Sequence, residues 1–272
     1  MRFLRLLLVF AMMPVFAMAQ AGAGQGGGAG AAAGERAPAR AGIQSTTNLM
    51  GLLEMSVAGF ADGSDIPIRY SQAVHPTGTP SSPAITWTNV PAGTASFVLY
   101  LHNPDASVNK TTEDQPHWLV WNIPGTATGL PETEPKGAQL PNGAYQDSAA
   151  GPYYWAPGSQ AQVPKRHFVF ELYALDATLD IQPGTDGFAT RTSVLKAMDG
   201  HVLGKAVYVG LFHRPKPKKG NRVGIFGQSG LFEVVAVNPL KLTADLKAMD
   251  GQGHATRTVP WTSINFQPAA SH

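Results

Sequence analysis

The amino-acid sequence predicts a mostly β domain in which a large antiparallel sheet packs on a smaller sheet, with one or two short helices. Short apolar or alternating segments recur along the chain, separated by Gly- and Pro-rich turns, and we predict strands at several of them, including Ile66–Tyr70 and Arg166–Leu175. Only Thr190–Met198 has good helical character, with apolar residues on one face and Gly200 following as a stop signal. Many short strands with few helices favour packed sheets.

The first 19 residues predict a secretory signal peptide. Arg2 and Arg5 precede an apolar run, and Ala17 and Ala19 form a small-x-small cleavage site. The run is shorter than the roughly 20 residues that cross a bilayer, which argues against the alternative of a membrane anchor. No cysteine follows for lipid attachment. We therefore expect a secreted or periplasmic protein with no transmembrane segment after cleavage.

Composition changes along the rest of the chain predict three further segments. Residues 20–46 are largely Ala and Gly, which bury too little surface to offset the entropy of ordering them, so we expect a flexible leader. Residues 47–214 form the predicted globular domain. Residues 215–272 form a C-terminal extension, which follows a basic, Pro-broken stretch and contains strand-like Val223–Phe226 and Leu231–Val237. We expect it to add one or two strands to the domain and to fray after Pro268.

Charge and cysteine content exclude some classes of protein. The chain has no cysteine, so an apolar core and not disulfides must stabilise it, and 43% of its residues are hydrophobic. Removing the signal peptide removes two of the 20 basic residues and none of the 18 acidic ones. The mature chain is then formally neutral, which does not suggest binding to nucleic acid.

Two apolar strands carry polar side chains at neighbouring ends. The strands are Phe97–Leu101 and Trp118–Ile123. Their polar neighbours are His102, Asn103 and Asp105 after the first strand and His117 before the second. If the strands pair, these side chains meet at one end of the sheet and form a small polar pocket. Each histidine could instead be a packed or surface residue, and Asp105 could simply close a turn.

Catalytic signatures are weak in this sequence. The chain lacks a Gly-x-Ser-x-Gly elbow, a cysteine nucleophile and paired histidines at zinc spacing. One catalytic alternative is a hydrolase in which His117 and Asp105 act as an acid–base pair, but no nucleophile accompanies them. The residues indicate neither a metal nor a cofactor, and we predict that the protein is not an enzyme.

A set of motifs occurs in a fixed order between about Phe60 and Arg214. The motifs are Ser82-Pro83-x-x-x-Trp87, Pro91-x-Gly93-Thr94-x-Ser96-Phe97, Asn103-Pro104-Asp105-Ala106, His117-Trp118-x-Val120-x-Asn122-Ile123-Pro124, Leu130-Pro131, Gly151-Pro152, His167 followed by Phe170-x-x-Tyr173-Ala174-Leu175, and His201-x-Leu203-Gly204-x-Ala206. In this order they resemble the phosphatidylethanolamine-binding proteins. The resemblance is closer to the bacterial branch, which is often labelled Raf-kinase-inhibitor-like.

The resemblance implies a pocket for a small anion such as phosphate or a phospholipid head group. The positions that it assigns to this pocket are Asn103, Asp105, His117, Gly151, Pro152 and Arg166 or His167. An imidazole and a backbone N–H can donate to phosphate oxygens, whereas a carboxylate accepts from a protonated oxygen or an amine. The neighbouring aromatic run, Tyr153 to Trp155, could form a lip of the pocket or cover the sheet edge.

Three departures from the family pattern concern this pocket. Asn103 replaces the first acidic residue of the Asp-Pro-Asp motif, and Ser107 replaces a proline. The later histidine of the family falls on Arg166, with His167 one residue on, and strand alternation lets only one of them face the pocket. An arginine would strengthen anion binding. The alternative is a protein-interaction or inhibitor module with a vestigial pocket, whose partner docks on the loops or the basic stretch.

Overall fold

The computed structural model describes residues 52–74, 80–250 and 256–267, which belong to one compact unit. The predicted signal peptide, leader, residues 47–51 and frayed end lie outside these residues. The described residues form one helix, α1 (Gly187–Ala197), and these strands: β1 Glu54–Val57, β2 Ser64–Asp65, β3 Ile85–Thr88, β4 Ser96–Asn103, β5 Gln115–Pro124, β6 Gly129–Leu130, β7 Tyr145–Asp147, β8 Arg166–Leu175, β9 Val202–Phe212, β10 Arg222–Ile225, β11 Phe232–Asn238, β12 Thr243–Ala248, β13 Thr256–Pro260 and β14 Ile264–Phe266.

The largest sheet has six strands in the order β2-β9-β8-β4-β5-β7. All neighbouring pairs are antiparallel except β2 and β9, which are parallel. The strands in the middle of this sheet are long, whereas the two edge strands contain only two and three residues. Strands β4 and β5 are almost completely buried, because both faces of the sheet are covered.

A smaller sheet covers one face of the large sheet, and α1 covers the other. The smaller sheet has the order β1-β3-β6 and contributes Met55, Ile85 and Trp87 to a core that includes Phe97 and Phe170 of the large sheet. On the opposite face, a second cluster joins side chains of β4 and β5 to the helix. The prediction of a large sheet packed on a smaller sheet with little helix is therefore confirmed.

Two local predictions differ from the structure. Ile66–Tyr70 alternates like a strand, but Ile68–Tyr70 is a 3₁₀ turn, because Pro67 cannot donate to a sheet ladder. The helix begins three residues earlier than predicted, at Gly187. Its start is fixed by Asp186, whose side chain accepts a hydrogen bond from the backbone N–H of Phe188 at 2.9 Å.

The C-terminal extension contributes five strands, not the one or two expected. They form a third sheet in the order β13-β12-β11-β10-β14, with a separate hydrophobic cluster. A 3₁₀ turn, Trp261–Ser263, connects the two edge strands. Four Cα steps span at most about 15 Å, whereas the edges of a flat five-stranded sheet lie about 19 Å apart. The sheet must therefore curl so that its two edge strands approach each other.

Among the residues that the structure describes, no helix combines the length and the apolar character that a membrane span requires.

Candidate ligand-binding site

A hollow of about 300 Å³ lies where β4 ends and β8 begins, and it contains three of the predicted site residues. Asn103 is the last residue of β4 and Arg166 is the first residue of β8; these two strands are antiparallel neighbours. Asp105 follows β4 and completes this side of the hollow. The opposite wall comes from a loop at 156–165 that contributes Gly158, Ser159, Gln160 and Val163.

Asn103 and Asp105 form a turn at one wall of the hollow. Asn103 is 5% exposed, and its Oδ1 accepts a hydrogen bond from the backbone N–H of Asp105 at 3.0 Å. The Asp105 carboxylate accepts from the backbone N–H of His167 at 2.7 Å and lies 3.0 Å from the His167 ring nitrogen Nδ1. Burial alone would raise the pKa of Asp105, but the hydrogen bonds from His167 and the charges of His167 and Arg166 outweigh it and lower that pKa.

Of the two adjacent basic residues, Arg166 lines the hollow. Its Nη1 donates to the backbone carbonyl of Asp105 at 3.0 Å, and no other hydrogen bond of its side chain occurs within the described ranges. The side chain of His167 is 54% exposed and holds the Asp105 carboxylate. This arrangement leaves most of the guanidinium N–H donors of Arg166 available to a ligand.

His117 is buried beside Trp155 and does not line this hollow. It is the extra residue of a β-bulge, because Leu101 pairs with Trp118 while His102 pairs with Pro116. The imidazole stacks on the Trp155 ring at 4.6 Å, and its Nδ1 lies 2.7 Å from the Trp155 carbonyl oxygen. The Trp155 backbone N–H in turn donates to the His117 carbonyl at 2.9 Å.

The environment of His117 fixes its protonation. Burial is the largest effect, and together with the charge of His102 it lowers the pKa of His117 to about 4, against the opposing hydrogen bonds to Trp155 and Ala156. A carbonyl oxygen only accepts, so Nδ1 carries the proton of the neutral ring and Nε2 is an acceptor. Nε2 is buried and has no hydrogen-bond partner among the described residues. The family resemblance implies that this imidazole donates to phosphate oxygens, whereas Nε2 of the neutral ring carries no proton and can only accept.

Gly151 and Pro152 lie in a different hollow. This second hollow of about 670 Å³ is formed by residues 147–152, residues 184–186 and the start of α1. Asp147 lies in it and is 3% exposed, and burial raises the pKa of its carboxyl. The structure thus brings Asn103, Asp105 and Arg166 together but places the Gly-Pro loop elsewhere.

His102 belongs to a polar network away from the hollow. Its Nδ1 contacts the Asp114 carboxylate, and its ring stacks on Tyr100 at 4.5 Å. Arg191 of α1 pairs with the same carboxylate at 3.2 Å. Hydrogen bonds and the charges of His102 and Arg191 lower the pKa of Asp114 against the opposing effect of burial. In the described parts of the chain, no group of three or more potential metal ligands is present.

Comparison with known proteins identifies the family. The model of the phosphatidylethanolamine-binding protein family matches residues 56–213, more than half of the chain. The chain belongs to the phosphatidylethanolamine-binding protein family. This confirms the resemblance carried by the ordered motifs. The family match ends before β10, so the C-terminal sheet lies outside it.

The similar proteins align with about 60% of this chain and not with its whole length. A UPF0098 protein of Methanothermobacter thermautotrophicus is 37% identical over 165 residues, which are 60% of this chain and 99% of the relative. A Mycobacterium tuberculosis H37Rv protein named "Putative lipoprotein LppC" is 29% identical, over 60% of this chain and 76% of the relative. The crystal structure of Escherichia coli YbcL is similar in fold, with a TM-score of 0.51, 24% identity, and coverage of 59% of this chain and 98% of that chain.

Proposed function

We propose that this family member is an exported, non-catalytic binding protein that takes a small anion in the hollow at Asn103, Asp105 and Arg166. The ligand would be phosphate or the phosphoryl group of a phospholipid head group. The observation that carries the proposal is the guanidinium of Arg166, which lines the hollow and uses one of its donors on the Asp105 carbonyl. A planar guanidinium matches two phosphate oxygens at once.

The neighbouring residues favour an anion. Asn103 is neutral where the family pattern has an acid, so one repulsive charge is absent from the hollow. The carboxylate of Asp105 is already bound by the His167 backbone N–H and faces its ring, which reduces its repulsion of a second anion. A protonated phosphate oxygen or a head-group ammonium could donate to it. The name of the matched family, phosphatidylethanolamine-binding protein, agrees with this chemistry.

Export is supported by the sequence and by one relative. Arg2 and Arg5, the apolar run and the small-x-small site together have the form of a signal peptide. The Mycobacterium relative has a name that describes a lipoprotein. The hydrolase alternative finds little support, because His117 is buried against Trp155 and Asp105 is engaged by His167.

Replacing Arg166 should weaken phosphate binding. We expect Arg166→Gln to raise the phosphate dissociation constant about tenfold, because a charge-assisted hydrogen bond contributes about 1.5–3 kcal/mol. Lys165→Gln is the matched control, since Lys165 is the adjacent cation but pairs with Asp65 outside the hollow. The measurement is a phosphate and phosphorylethanolamine titration followed by NMR. Equal effects of the two substitutions, or no shifts near Asp105 at millimolar ligand, would count against an anion site.

A second candidate, a protein-interaction module, is favoured by the distribution of charge. From residue 214 onward the chain has eight Lys and Arg against three Asp and Glu, whereas residues 52–213 have eight against fourteen. Lys218, Lys219 and Lys241 have no ion-pair partner among the described residues, and Leu240 is 95% exposed. The formally neutral mature chain thus contains a basic C-terminal extension, and such a charge favours an acidic partner.

The interaction hypothesis predicts salt-sensitive binding to an acidic polypeptide. Poly-glutamate serves as the probe, and we expect the full chain to bind it at low salt and to release it near 0.5 M salt, because screening weakens exposed charge pairs. The double variant Lys218→Glu/Lys219→Glu should abolish this binding, whereas Lys136→Glu in the acidic body should not. Binding that both variants retain would remove the basic extension as the docking surface.

A further inference from the structure

The loop at 156–165 forms the wall of the candidate hollow opposite Asn103 and Asp105. It also packs against the C-terminal sheet. Ala161 lies within this loop, is 3% exposed and belongs to the hydrophobic cluster of the C-terminal sheet. Val223, Val234 and Ile264 are fully buried members of the same cluster. The wall of the hollow and the core of the extension therefore share a side chain.

Gln72 fixes the beginning of the same loop. Its side-chain amide donates to the Ala156 carbonyl at 2.8 Å, and its backbone N–H donates to the Pro157 carbonyl at 2.9 Å. Gly158 lies directly against this amide, since a Cβ atom there would be 2.6 Å from the Gln72 side chain. The approach is so close that only glycine fits without displacement of Gln72.

Arg214 connects Gln72 to the C-terminal sheet. Its Nη1 donates to the Ile264 carbonyl at 2.6 Å and to Asn265 Oδ1 at 3.0 Å, and its Nη2 donates to the Gln72 carbonyl at 3.4 Å. A backbone hydrogen bond from Phe266 to Ala73, at 2.8 Å, joins β14 to the same segment. The contacts thus run without a break from β14 through Arg214 and Gln72 to the wall of the hollow.

We infer that the C-terminal sheet is a positioning element of the candidate site, which holds the loop at 156–165 through Gln72, Ala161 and Arg214 and so sets the width of the hollow. The sheet lies beyond the part of the chain that the family pattern covers. The C-terminal sheet is therefore an addition to the family domain, and it adjusts the width of the candidate hollow in this protein. The effect on affinity rests on the proposed anion binding, whereas the effect on the loop does not.

Backbone ¹⁵N NMR order parameters of the full chain test the mechanical part. We expect Arg214→Met to lower the order parameters in both 156–165 and 264–266 from about 0.85 to below about 0.6, because the guanidinium bonds that join these segments are lost. Strands β4 and β8 should be unaffected. Gln72→Met should lower the order parameters at Ala156 and Gly158 while 264–266 stays rigid, because only the link to the loop is removed. Arg222→Met is the matched control, since Arg222 is an exposed arginine of the same extension.

The inference is overturned if the order parameters of 156–165 stay at the wild-type values in Arg214→Met, whatever Gln72→Met shows. Near-UV circular dichroism confirms that each variant is folded before the NMR measurement. A phosphate titration of the same variants tests the functional part, with an expected loss of affinity of about threefold in Arg214→Met and none in Arg222→Met. If the wild-type chain binds no phosphate, the anion-site proposal fails, while the order parameters still decide whether the sheet holds the loop.

Discussion

Lowering the pH from 7 to 4 should reduce the free energy of unfolding by about 3 kcal/mol through His117 alone. Burial holds the pKa of His117 at about 4 in the folded protein, against an ordinary value of 6.5. Between these two values the unfolded chain binds a proton that the native chain does not bind. Stability from this group is therefore complete above about pH 6.5 and is lost as the pH falls towards 4.

Urea unfolding at several pH values measures this effect. We expect the loss of stability between pH 6.5 and 5 to be clearly smaller in His117→Gln than in the wild type, because the buried titrating group is absent. The comparison stops at pH 5, since Asp105 and Asp114 have lowered pKa values and lose their own stabilising contributions at lower pH. Parallel slopes for wild type and His117→Gln would refute the prediction.

Removing the indole of Trp155 should release His117 from its buried state. In Trp155→Ala we expect the pKa of His117 to rise from about 4 towards its ordinary value, because the stacked ring at 4.6 Å no longer shields the imidazole from water. The hydrogen bond to the Trp155 carbonyl is made by the backbone and remains. Loss of a partly buried indole should also lower the free energy of unfolding by about 2 kcal/mol.

NMR titration of the His117 imidazole protons tests this release. Trp155→Phe is the matched control, since it keeps an aromatic ring over the histidine and should leave the pKa low. The ring of Phe168 also lies against the imidazole, with its centroid at 5.0 Å. A pKa still near 4 in Trp155→Ala would mean that Phe168 and the rest of the core exclude water from His117 without Trp155. In that case Trp155 would not be the cover of the histidine.

The long strands of the large sheet could be predicted from the sequence because their apolar runs are long. The predicted strand at Arg166–Leu175 coincides with β8, and Phe97–Leu101 falls within β4. Residues that are buried on both faces need no alternation, and a continuous apolar run is then a sufficient signal. Short segments such as Ile66–Tyr70 carry too few residues to distinguish a strand from a 3₁₀ turn, so a single proline decides the outcome.

The C-terminal sheet shows why local sequence could not decide everything. Leu-Lys-Ala occurs at 195–197 in the last turn of α1 and again at 246–248 in strand β12. The same three residues are helical in one place and extended in the other, so tertiary contacts override their propensity. At 246–248 the extended form is held by backbone pairing with β11 and β13, which lie outside the tripeptide and have no counterpart around α1.

The candidate site was predictable only where strand ends define it. Asn103 and Arg166 meet because β4 and β8 are antiparallel neighbours, a pairing that two long strands favour. The burial of His117 depends on Trp155, which lies 38 residues away in a loop with no periodic pattern. The role of the loop at 156–165 depends on Arg214 and β14, which are more distant still. Such contacts are set by packing between elements and leave no signature in nearby residues.

The short borders of the large sheet affect how the protein behaves at high concentration. An exposed sheet edge is a template on which another molecule can add a strand. Here β2 pairs only with Gly210 and Leu211 of β9, so the outer backbone of β9 from Val202 to Val207 has no strand partner among the described residues. Lys205 lies on this uncovered stretch, and a charged side chain there opposes the addition of a further strand. Because the chain has no cysteine to cross-link this margin, we expect its resistance to fibril growth to depend on that lysine more than on the two short outer strands.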